Sequence, residues 1–232
     1  MIDVATDWHT HSSMSDGADS PALMARAAHD AGLTGWGLSD HVRSDTAWLP
    51  EYVQTVRGIQ IDGLQIRCGA EVKMMDAAGS LDLPSHLPVL DYLLIADHQF
   101  PGVHGPQHPD RVRELIDSGD LTAPQAIELL VTATAQAIRS SPLPAIVAHL
   151  FSLLPKCGLD EIDVPEDLLD ELASSCIAHD AAVEINEKWR CPSGRVLAGL
   201  SSRGVRLTAG SDAHRTADVG RWAYLNEMNA AL

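Results

Sequence analysis

The feature that most limits what this chain can fold into is a regular alternation of short apolar runs with helix-length segments. Seven runs read as strands: "VATDWH" from Val4 to His9, "LTGWGLSDH", "LQIRCGAEV", "DYLLIADH", "PAIVAHL", "AAVEIN" and "VRLTAGSDAH". Between them lie helical segments. "SPALMARAAHDAGL" has Ser20 in position to cap, Pro21 at the first helical residue and Gly32 as a stop. "TAPQAIELLVTATAQAIRS" is the clearest helix. The stretch from Gln99 to Leu121 reads as a Pro- and Gly-rich loop leading into a short helix. Seven strands alternating with helices predict an α/β fold with a parallel sheet covered by helices, either open or closed into a barrel. No linker or shift in composition divides the 232 residues, so a single domain spanning 1–232 is expected.

Charge narrows the classes of partner. Lys and Arg total 16 against 32 Asp and Glu, a formal charge of −16. Such a surface repels nucleic acid backbones and anionic membranes. It still admits a small anionic ligand where bound divalent cations reverse the local field. Cys68, Cys157, Cys176 and Cys191 are widely spaced and form no CxxC pair, which reads as buried thiols in a reducing compartment. The first residues show no signal peptide, and no apolar run is long enough to span a bilayer, so a cytoplasmic, soluble protein is expected.

The chemistry-bearing residues sit where the strands end. In an extended chain residues i and i+2 face the same way, so His9 and His11 of "HTH" converge. His41 ends the second strand, Glu71 the third, His98 the fourth and His149 the fifth, while Asp212 and His214 follow the seventh. Asp16 lies in the turn after the first strand. Parallel strands end on one side, the face that carries active sites in barrels and open α/β sheets. A single histidine is more often a packed or surface residue, and His29, His86 and His179 read that way, as do His104 and His108 in the loop after strand four. Metal-capable side chains at six strand ends are harder to assign to chance.

The ordered set "HTHSSMSDG", "LSDH", "GAEV", "IADH", "VAHL" and "GSDAH" resembles the polymerase and histidinol phosphatase (PHP) superfamily of metal-dependent phosphoesterases. The resemblance covers nearly the whole chain, from Asp7 to about Gly220. It implies a distorted seven-stranded (β/α)7, TIM-like barrel holding up to three divalent ions. Carried over by position, His9, His11, Glu71 and Asp212 would hold the first ion and Asp16, His41 and His214 the second. His98 and His149, with Glu71 as a bridge, would hold the third. Met14-Ser15-Asp16 stands where histidinol phosphatases tend to have Cys-Pro-His, which argues against histidinol phosphate as the substrate.

Six imidazoles and three carboxylates suit Zn, Mn or Fe rather than Ca or Mg. The reaction expected is attack by a metal-bound hydroxide on a small phosphomonoester, with Glu71, Asp212 and His214 as catalytic residues. Arg43, Lys188, Arg190 and Arg215 are the candidate phosphate-binding cations, and Glu184 and Asn186 candidate partners behind the ligands. The alternatives are histidinol phosphatase proper, phosphodiesterase or exonuclease action on nucleotides, an amidohydrolase-type barrel, and a metal-stabilised binding domain without turnover. An amidohydrolase would usually add a strand-end lysine bridge and an eighth strand.

Overall fold

Short apolar runs can form strands only if both faces are covered, and the fourth run shows how this is done. "YLLIA" is buried at every position, and its flanking strands run parallel to it. The computed structural model describes residues 2–231. The barrel strands are β1 (Thr6–Asp7), β2 (Gly35–Leu38), β4 (Gln65–Lys73), β5 (Tyr92–Ala96), β8 (Ala145–Val147), β9 (Ala182–Asn186) and β10 (Arg206–Gly210), hydrogen-bonded in that order and all parallel. A two-residue strand, β3 (His41–Val42), extends the β2 edge against β4, pairing His41 with Glu71.

The sheet nearly closes into a barrel. The Trp8 amide donates to the Ala209 carbonyl at 3.1 Å, and Thr10 bridges Ala213 in parallel, joining the segment after β1 to β10. Tyr92 fills the interior below the strand ends. Its hydroxyl donates to the Trp8 carbonyl at 2.6 Å, and a side chain at Gly37 or Gly69 would collide with its ring.

Seven α-helices lie among the described residues: α1 (Pro21–Asp30), α2 (Leu49–Gly58), α3 (Pro109–Ser118), α4 (Ala123–Ser140), α5 (Glu166–Ala178), α6 (Gly194–Ser202) and α7 (Tyr224–Ala231). Helix α4 begins with a capping box, in which Thr122 and Gln125 satisfy each other's backbone amides. Its Ile127, Leu130, Val131 and Ile138 are buried, each stabilising the core by about 1.5–3 kcal/mol. Ser20 holds the N-cap position of α1 but makes no side-chain capping bond, and Gly32 ends the turn with φ of 82°.

Two details depart from the sequence reading. The first strand is only two residues long, because the chain leaves the ladder at Trp8 to aim His9 and His11 inward. The loop after β5 contains an antiparallel hairpin, β6 (Phe100–Gly102) with β7 (Gly105–Gln107), before α3. All four cysteines are free and buried. No helix among the described residues is long and apolar enough to cross a membrane.

Candidate metal centre

All nine sequence-derived positions come together at the carboxyl ends of the strands, and Glu71 is their centre. Its carboxylate is buried at the end of β4. Oε1 lies 2.9 Å from His98 Nε2 and 2.9 Å from His149 Nε2. Oε2 lies 2.9 Å from His41 Nδ1, 3.4 Å from His11 Nε2 and 3.5 Å from His9 Nε2. A second focus forms around Asp16, whose Oδ2 is 3.4 Å from Nε2 of both His41 and His214. Asp212 Oδ1 lies 3.6 Å from His11 Nε2.

Three sets of ligand atoms are each compact enough for one ion: His11, Asp16, His41 and His214; His9, His11 and Glu71; and His41, Glu71 and His98. This grouping shares His11 and His41 between sets, whereas the family pattern gives each to a single ion. His149 and Asp212 flank the sets through Glu71 and His11.

The rings are oriented from behind. His9 Nδ1 faces Glu184 Oε1 at 2.7 Å, and His149 Nδ1 faces Asp97 Oδ1 at 3.2 Å. Those carboxylates hold a proton on Nδ1 and direct Nε2 into the cluster, so that the neutral ring is the tautomer a metal needs. Glu184 also accepts the His149 backbone amide at 2.7 Å and Asn186 Nδ2 at 3.1 Å through Oε2. A Cβ at Gly210 would overlap Glu184 Oε1, so the glycine makes room for this carboxylate. Two cluster residues sit in left-handed backbone, His149 with φ of 29° and Asp212 with φ of 53°, strain of the kind that collects at functional sites.

The electrostatics follow from burial opposed by close partners. Burial resists charge at Glu71, yet His98, His9, His149 and His41 hold its carboxyl well below the usual range. Burial also opposes the His9 imidazolium, but Glu184, Glu71 and Asp212 raise its pKa well above the ordinary value. At His149, Asp97 and Glu71 outweigh burial and push the pKa up to about 10. His11 is driven the other way: burial and the neighbouring rings outweigh the attraction of Glu71 and keep it neutral.

This donor set fits divalent cations. His11 Nδ1 and Glu71 Oε2 are buried with no partner in hydrogen-bond geometry, although His41 Nδ1 approaches the latter. Imidazoles and carboxylates facing one another at 2.9–3.6 Å are the ligand types Zn, Mn and Fe take.

A cavity of about 800 Å³ opens over the cluster. Of the four cations expected there, Arg43 and Lys188 line it, with Lys188 Nζ 3.0 Å from Asp212 Oδ1. Arg190 and Arg215 do not. Arg190 turns away through a left-handed backbone (φ 53°) to pair with Glu227 at 2.8 Å, and Arg215 pairs with Asp218 at 2.8 Å. Sequence reasoning also missed Asp97, Asp40 and Asp7. Asp40 accepts the Ser12 amide at 2.8 Å, and Asp7 accepts the Ser211 amide at 2.9 Å. For Asp40 and Asp97 the available signal was an acid directly before a strand-end histidine, as in "LSDH" and "IADH"; Asp7, two residues before His9, had no such signal.

Comparison with known proteins gives the family. A probable phosphatase of Vibrio parahaemolyticus is 24% identical, the match covering 98% of this chain and 84% of that protein. A probable phosphatase of Caldicellulosiruptor saccharolyticus is 26% identical over 95% of this chain and 84% of its own. The fold is shared with a crystal structure of histidinol phosphate phosphatase from Lactococcus lactis, complexed with zinc, L-histidinol and phosphate. That likeness has a TM-score of 0.64 and 16% identity, covering 97% of this chain and 93% of that one. The family model for the PHP domain matches residues 7–188, a span holding seven of the nine cluster residues, all but Asp212 and His214. With most of its length matched by that model, the chain belongs to the PHP domain family.

Proposed function

We propose that this protein is a metal-dependent phosphatase that hydrolyses a small phosphomonoester at a site for three divalent ions. The observation that carries the reading is the gathering of six imidazoles with Glu71, Asp16 and Asp212, the outer nitrogens of His9 and His149 being held by buried acids. The proposed ligands are His9, His11, Glu71 and Asp212 for one ion, Asp16, His41 and His214 for another, and Glu71, His98 and His149 for the third. Zn, Mn and Fe all suit this set. Such ions supply Lewis acidity and a water of lowered pKa.

The chain's own groups do the rest. Glu71 stays ionised in a buried position and so can face more than one cation at once. Glu184 and Asp97 accept the Nδ1 protons of His9 and His149, so the proton that a metal would displace is the one on Nε2. Lys188, which is not a ligand, stands beside Asp212 and would donate to a phosphoryl oxygen, with the Arg43 guanidinium at the cavity wall as a further donor. The cavity volume suits a small molecule. A charge of −16 disfavours a polyanionic nucleic acid.

The domain would run through 1–232, since β10 leads into Asp212 and His214 beyond the matched segment. Four buried free cysteines agree with a reducing, cytoplasmic setting.

The test is phosphate release from a panel of small phosphomonoesters by Mn- or Zn-loaded protein, with Asp212→Asn as control. Turnover reduced at least a hundredfold in the variant is the expected outcome. Near-normal turnover in Asp212→Asn overturns the ligand assignment. No release from any ester, with metal verified as bound, overturns the phosphatase reading.

A further inference from the structure

The chain contains only three lysines among its 232 residues, Lys73, Lys156 and Lys188, against 13 arginines. All three line the single cavity over the cluster. They come from different places in the barrel: the end of β4, the turn following β8 and the loop after β9.

Their partners differ from those of eight of the 13 arginines. Arg57, Arg111, Arg139, Arg190, Arg195, Arg203, Arg206 and Arg215 all form ion pairs. Among the described residues, Lys188 is the one lysine with a carboxylate within 4 Å, that of Asp212. Lys73 reaches the amide oxygen of Gln99 at 3.2 Å, and Lys156 lies over the ring of Trp189 at 4.0 Å. Lys188 approaches the same ring at 5.9 Å, so the indole holds two ammonium groups on one wall. In a chain with twice as many acids as bases, two cavity lysines without an acid, Lys73 and Lys156, are arranged for an anion from outside.

Their spacing points to more than one anion. Lys188 attends the cluster. Lys73 follows Glu71 by two residues on β4 and faces the same way, displaced along the strand by roughly 6.6 Å. That offset is the length of a short carbon chain beyond a phosphate bound at the cluster.

Resting on the phosphatase reading above, we propose that the preferred substrate is a phosphomonoester whose leaving group carries a second anionic group, carboxylate or phosphate. Lys73 and Lys156 hold that group while Lys188 attends the scissile phosphate. A leaving group carrying an amine is disfavoured by the same charges.

Matched substrates test this with the metal-loaded protein. The carboxylate arm compares 3-phosphoglycerate with glycerol 3-phosphate. The phosphate arm compares fructose 1,6-bisphosphate with fructose 6-phosphate, and O-phosphoethanolamine serves as the cationic case. The expected result is a kcat/KM at least tenfold higher for the doubly anionic member of one pair, with O-phosphoethanolamine poorest. In Lys156→Met, an exposed position where folding is not at stake, the preference should fall below threefold, and Lys156→Arg should restore it.

Hydrolysis of both members of each pair within threefold of one another overturns the proposal and leaves the phosphatase reading standing. So does a preference unchanged in Lys156→Met. Absence of release from every ester overturns the phosphatase reading and this inference with it.

Discussion

Replacing Glu184 by glutamine changes one atom in a buried carboxylate and should weaken metal binding without touching a ligand. Glu184 Oε1 takes the His9 Nδ1 proton, while Oε2 takes two others, from the His149 amide and Asn186. A glutamine cannot satisfy all three. If its oxygen faces His9, its NH2 confronts two donors, leaving buried groups unpaired at about 1–3 kcal/mol. If it flips, the NH2 faces His9 Nδ1, which must then accept, and the proton moves to Nε2, where it blocks ligation. Loss of such a partner typically costs 10–100-fold in metal affinity, or about 1.4–2.8 kcal/mol.

An opposing effect must be separated. Glu184 also raises the His9 pKa, so its removal eases deprotonation and would favour metal near neutral pH. The affinity is therefore best measured by chelator competition at pH 7 and again near pH 9, with nitrogen NMR of His9 reading the tautomer. The expected result is a loss of tenfold or more at the higher pH, with Nε2 protonated in the metal-free variant. Affinity within twofold of wild type at both pH values, with the Nδ1 tautomer retained, would show that Glu184 does not set the His9 tautomer.

Further outcomes follow from the same geometry. In the metal-free protein the folded pKa of His149 is about 10, above its unfolded value of about 6.5, so its stabilising contribution is full below pH 6.5 and lost as pH rises through 10. Thermal melts of chelated protein should fall across that window, while metal affinity rises by up to about tenfold per pH unit for each proton displaced. Steady-state kinetics should separate the arginines: Arg190→Ala and Arg215→Ala should leave KM within about twofold, because their guanidinium groups are bound to Glu227 and Asp218. Arg43→Ala should raise KM several-fold.

How much of this was legible in the sequence depends on the range of the interaction. The strand-end histidines and acids could be read because parallel topology sends every strand end to one face, so position in the chain fixes position in space. His149 needed only the strand "PAIV" before it. Arg190 could not be read in the same way. It is four residues beyond β9, and a left-handed turn, closed by the bridge from Asn186 to Cys191, reverses its direction. Glu184 could be placed behind the ligands from its position in the sixth strand, but its pairing with His9, 175 residues away, could not. The lysines were countable in the sequence, but their common destination is visible only in three dimensions.

The meeting of the first and last barrel strands has a consequence for what a bound ion does to the fold. The Asp212 amide donates to the His9 carbonyl at 2.8 Å, so a seam hydrogen bond joins two cluster residues across 203 positions of chain. Closing a loop of that length costs on the order of 4–5 kcal/mol of chain entropy, and no ion can recover that cost until both edges have met. An ion held by His9, His11 and Asp212 would bind as a clasp across the seam, so its affinity would add to the stability of the closed barrel. Removing such an ion should loosen the barrel first along this edge.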